Sequence, residues 1–193
     1  MKFKTAFIMI AATLLTILSG CVAEHKGVRV LVEGGSGFPE ELAGTWVCEE
    51  QGWTIELDKT GYIPFMIIPM GRTEMHPGRE TTFEIPKYQG KAIYRPGLWT
   101  VTWSSGQREL GITTELEYFY HDVGNHAIEG SITDFLTGTV SDDGQTWSPE
   151  LNTVGFVDAL FFDGWTFRER KNFFDDTEPQ YRGQVVFRKK LSP

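Results

Sequence analysis

The chain has 193 residues and a formal net charge of −8 at pH 7, from 18 basic and 26 acidic side chains. That balance argues against nucleic acid, whose phosphates need a basic face, and against a polybasic grip on anionic lipid. Aromatics make up 13 % of the chain, a rich supply for one core, and two cysteines make no disulfide framework.

Residues 1–21 read as an address. Lys2 and Lys4 form a short positive start, and Thr5 to Leu18 is uncharged and almost wholly apolar. The stretch ends in Leu18-Ser19-Gly20-Cys21, which resembles the lipobox of bacterial lipoproteins. The resemblance implies cleavage before Cys21, a diacylglyceryl group on its sulfur and acylation of the new amino terminus. Two or three acyl chains suffice for permanent anchoring, so the expected location is the cell envelope with the membrane as partner. Val22-Ala23 follow without the Asp that resembles an inner-membrane retention signal, which favours the periplasmic face of the outer membrane in a host with two membranes. An uncleaved span is the alternative, since the uncharged stretch reaches Ala23. Removing residues 1–20 takes away two lysines and no acid, and leaves 173 residues with 16 basic against 26 acidic side chains, a charge of −10. Cys48 is then the lone thiol, expected buried and inert.

Residues 21–37 are expected to form a lipidated, flexible tether ending in Gly34-Gly35-Ser36-Gly37. Val28-Arg29-Val30-Leu31-Val32 is β-prone, either pairing with the domain edge or serving as linker. The domain is expected to run from Phe38 to Pro193 as one unit.

From there strand signals dominate. Trp53 to Leu57 alternates apolar and polar and ends at a turn, Asp58-Lys59-Thr60-Gly61, with Tyr62-Ile63 starting the return. Thr81–Ile85 and Trp99–Trp103 alternate likewise; Trp99, Val101 and Trp103 share one face. Ser141–Gln145 is a second hairpin turn, and Gln184–Arg188 reads as a closing strand. Pro64–Met70 is apolar and bracketed by prolines, an edge strand or a loop over a barrel mouth. Phe156–Phe174 reads as strand, turn at Asp163-Gly164, strand, or as a helix packed outside. Recurrent turns without an amphipathic helix predict an all-β fold, an antiparallel meander closing into a barrel or a two-sheet sandwich or jelly roll.

Gly44-Thr45-Trp46 at the first domain strand resembles the G-x-W opening of lipocalin-like barrels. The resemblance implies that Trp46 plugs the closed end and that Arg188 of the last strand stacks on it as a structural partner. The aromatic surplus adds a further clue, since a hollow barrel with such walls would be a cup for a flat or apolar ligand. Trp99, Val101 and Trp103 would line that cup, or fill a solid core.

Catalytic signals are sparse. His121 and His126 flank a four-residue turn and, with Asp122, are the candidate metal ligands; ordinary turn chemistry is the competing reading. Asp175-Asp176-Thr177-Glu178 is an acidic run suited to Ca²⁺ or to solvent. No nucleophile elbow or phosphate loop is present, no cofactor is called for, and no catalytic residue is assigned. The sequence thus predicts a non-enzymatic, lipid-anchored envelope domain. It binds a small apolar ligand, or has a filled core and works through its surface, or, third, is hydrolytic or carbohydrate-active.

Overall fold

The computed structural model describes residues 21–34, 37–70, 72–85, 90–122, 124, 126–162, 164–172 and 181–190. The apolar segment 1–20 and the acidic run Asp175–Glu178 lie outside them. The strands in chain order are β1 (Cys21–His25), β2 (Val28–Glu33), β3 (Gly44–Cys48), β4 (Trp53–Leu57) and β5 (Met66–Ile67). Then come β6 (Glu74–Met75), β7 (Thr81–Ile85), β8 (Gly90–Pro96), β9 (Trp99–Ser104) and β10 (Glu109–Asp122). The last five are β11 (His126–Val140), β12 (Thr146–Phe162), β13 (Trp165–Asn172), β14 (Tyr181–Gln184) and β15 (Phe187–Lys189). One 3₁₀ turn, Glu40–Leu42, precedes β3.

All strands belong to one sheet. Its main path runs β1-β2-β9-β10-β11-β12-β15-β3-β4-β5-β6, while β7 and β8 pair beside β10, and β13 and β14 beside β12. The path curls through 306° and stays open, a half-barrel whose ends, β1 and β6, do not join. The expected closed lipocalin-like barrel is therefore wrong, and so is the two-sheet alternative. The purely antiparallel meander is also wrong, because β2 lies parallel to β9 from Val28↔Trp99 to Glu33↔Ser104. The β-rich class stands. The physical reason for the error is that alternation reports which face a residue takes, and says nothing of whether two distant edges meet.

The turns form where their chemistry is. Asp58 accepts backbone N–H groups of Thr60 (2.7 Å) and Tyr62 (3.0 Å). Gly61 sits at φ +81°, and a Cβ there would press on the Phe38 ring. The return strand starts at Met66, later than Tyr62. In the β11–β12 turn, Ser141 Oγ and the Gln145 N–H both donate to Asp143. Strand, turn, strand holds for residues 156–172, and the closing run 184–188 is split between β14 and β15.

The expected tether does not extend over 21–33. Val28, Val30 and Val32 are buried in the core, so β2 belongs to the sheet, and Cys21 opens β1 opposite Val32. The alternating valines explain this: an apolar face of three residues has more to gain against β9 than in water.

Inside the curl, Trp46, Trp53, Trp99 and Trp147 are all 2 % exposed or less. Burying one Trp removes about 200 Å² from water, roughly 5 kcal/mol of gross hydrophobic gain before entropy is charged. Trp147 donates to the Leu110 and Gly138 carbonyls (3.2 and 3.1 Å), and meets Trp46 edge to face. Above this body the long strands β10–β12 continue past a row of bulges, between Leu116 and Phe119 of β10 and between Val157 and Ala159 of β12. Gly130 of β11 sits at this level with a Phe156 carbonyl where its Cβ would be. Beyond the bulges the crisp in–out alternation of burial fades.

Candidate functional site

Three strands meet the bulge level with a polar row in an apolar wall. Thr114 of β10 pairs in register with Asp134 of β11, which pairs with Thr153 of β12. The next inward rows are apolar, Ile112–Leu136–Leu151 on one side and Leu116–Ile132 on the other. Thr153 Oγ1 donates to Asp134 Oδ1 at 2.6 Å, and Thr114 donates to the same carboxylate. Burial pushes the Asp134 carboxyl up to about 6, and the two hydroxyls only partly oppose it.

This row floors a cleft of about 290 Å³, open on one side. Its opposite wall is the segment that the prolines had marked, with Ile68, Pro69 and Met70 followed by Met75 of β6. Trp53 also lines it, and its buried indole N–H finds no partner among the described residues. A buried N–H without an acceptor costs on the order of 1–3 kcal/mol, so such a donor beside a cleft marks a place where a ligand gains. The Met70 carbonyl is fastened by the Tyr94 hydroxyl (3.3 Å), which also meets His121 Nε2 at 2.7 Å. Burial lowers the basicity of the His121 imidazole.

The sequence-derived candidates fall elsewhere. Trp99, Val101 and Trp103 are buried in the solid core at 0 %, 0 % and 4 % exposure, and none of them lines the cleft. The expected enclosed apolar cup is absent among the described residues, and what exists is a side cleft with a carboxylate at its floor. Trp46 is fully buried and donates to the Leu42 carbonyl. The cation over its ring is Lys189 (6.0 Å), not the expected Arg188: Lys189 stands opposite Trp46 in register, and Arg188 stands opposite Val47. His121 and His126 do not share a site. The first packs on Tyr94 and Phe119, the second on Phe162, and no group of three or more metal-ligating side chains forms among the described residues. Cys48 is buried.

A second, shallower concavity lies at the far tip, between the β10–β11 and β12–β13 turns, lined by Tyr120, Asp122, His126, Phe161 and Trp165 among others. Around it Trp165 is 71 % and Phe167 61 % exposed.

No family model, curated protein or solved structure matches the chain. Neither half of the sequence resemblance is sustained: the barrel is open, and no lipoprotein family matches.

Proposed function

We propose that this chain is a binding module that takes a small amphiphilic molecule into the open cleft of the half-barrel. The observation that carries it is the Thr114–Asp134–Thr153 row, one polar strip set in the apolar lining of a cavity near ligand size. An apolar cleft with a few convergent polar groups and a perturbed carboxyl is the pattern of a recognition site. Binding without catalysis is part of the proposal, because both hydroxyls beside Asp134 are engaged in donating to it.

The proposed location is the cell envelope, with membrane attachment at an acylated Cys21. The support is the chain's own residues: two lysines, an uncharged apolar run and a cysteine after two small residues. Cys21→Ser is expected to abolish fatty-acid labelling.

The cleft is tested by native mass spectrometry of the full chain purified from its own host. A bound small molecule that is lost in Leu151→Trp, whose indole fills the cleft, with an unchanged denaturation midpoint, supports the reading. A bound molecule indifferent to that filling counts against it, as does no binding across a panel of small amphiphiles.

A further inference from the structure

The row at the floor of the cleft has an unbalanced charge. Asp134 accepts from two neutral hydroxyls and forms no ion pair among the described residues, whose ion pairs lie elsewhere. Of the other residues lining the cleft, Glu115 alone is charged, and it too is negative; its carboxylate packs over Gly97 on β10's flank. The walls from β4, from Ile68–Met70 and Met75, and from β12 contribute no cation. Arg72 stands outside the lining, with its guanidinium beside Gly52. Two threonine hydroxyls occupy two of the roughly four lone-pair positions of a carboxylate, which leaves acceptor capacity toward the cavity. A half-buried carboxylate without a countercharge is poorly compensated, and a cation in the cleft would compensate it.

We infer that the head of the cleft's occupant is a primary or secondary ammonium, seated against Asp134 with its apolar body between Met70 and Met75 and the Leu116–Ile132 wall. This deepens the proposed function and rests on it. An ammonium supplies N–H donors that the carboxylate lacks, at a charge-assisted distance, and the thioethers adapt to an irregular apolar body. A hydroxyl head would give a neutral hydrogen bond and leave the charge uncompensated. A carboxylate head would place a second anion beside Asp134 and Glu115. The net charge of −8 also enriches cations near the protein.

The test uses the full chain in lipid nanodiscs with ¹³C-methyl methionine, titrated with hexylamine, hexanol and hexanoate at pH 7.5 against empty nanodiscs. The Met70 and Met75 methyl resonances are expected to shift saturably with hexylamine at ten-fold or more tighter binding than hexanol, with hexanoate weakest. Asp134→Asn should erase the preference for the amine, and saturable methyl shifts with hexanol that persist in the variant show that it is folded. Equal affinity for amine and alcohol, or a preference that survives Asp134→Asn, overturns the inference and leaves the cleft reading in place. If none of the three ligands moves either methyl, the cleft reading itself fails.

Discussion

The body of the half-barrel and its far end use the same residue types to opposite effect. In the body, Trp46, Trp53, Trp99 and Trp147 vanish from solvent because the curl brings β3, β4, β9 and β15 around them. At the far end, Leu160, Phe162, Trp165 and Phe167 stand 45–71 % exposed, because β12 and β13 run on as a ribbon with no covering layer among the described residues. Composition alone is therefore a poor guide to burial. What decides is whether a second face is in reach, and the bulge row at Leu116–Phe119 and Val157–Ala159 marks where that stops.

The contrast can be broken most sharply by truncation. Trp147→Ala is expected to cost about 3–5 kcal/mol, removing a buried indole, its two hydrogen bonds and its contact with Trp46, whereas Trp165→Ala should stay within about 0.5 kcal/mol. Urea midpoints compare the two, and equal losses would show that the far end is packed in solution. Gly130→Ala probes the boundary itself. Its methyl would meet the Phe156 carbonyl and the Phe119 ring, so a loss of about 1–3 kcal/mol is expected. A neutral result would mean that the bulge row yields.

Asp134 supplies a smaller effect with a definite sign. Its folded pKa of about 6 lies above the ordinary 3.8, so the unfolded chain gives up the proton first as pH rises. Stability tied to this group is greatest below pH 4 and declines between about pH 4 and 6. Asp134→Asn should therefore gain about 1–2 kcal/mol at pH 7.5 and little at pH 4, read from urea midpoints at the two pH values. A constant difference across that window would place the carboxyl in water. Least in free energy, Phe162→Ser, Trp165→Ser and Phe167→Ser together should leave the midpoint nearly unchanged and lower the binding of a hydrophobic dye. Unchanged dye binding would locate the exposed apolar surface elsewhere.

Much of this was legible in the chain, and the remainder has physical causes. Period-two alternation placed Trp99, Val101 and Trp103 on one face, and Asp58–Gly61 and Ser141–Gln145 turn where their side chains dictate. Openness was hidden, because joining β1 to β6 depends on the curvature of the whole path. The parallel β2–β9 pair was hidden too, since all of residues 34–98 lie between the two strands and no turn signal can span them. The cation over Trp46 was displaced by one residue, which in a strand changes the face. The polar row did leave a trace: Asp134 interrupts the inward series Ile132, Leu136, and Thr114 interrupts Ile112, Leu116. A polar residue on an apolar face, repeated on neighbouring strands, is the sign that was missed.

The first strand has a mechanical meaning. Cys21 lies across from Val32, which aligns through Trp103, Leu110 and Gly138 with Pro149. Phe162, at the far tip, is thirteen residues further along β12, or about 40 Å. Because Cys21 already belongs to a paired strand, the sheet has no slack at that foot. Anything attached there would carry the domain as a step carries a mast, and the length of β12 would set how far away the aromatic tip is held.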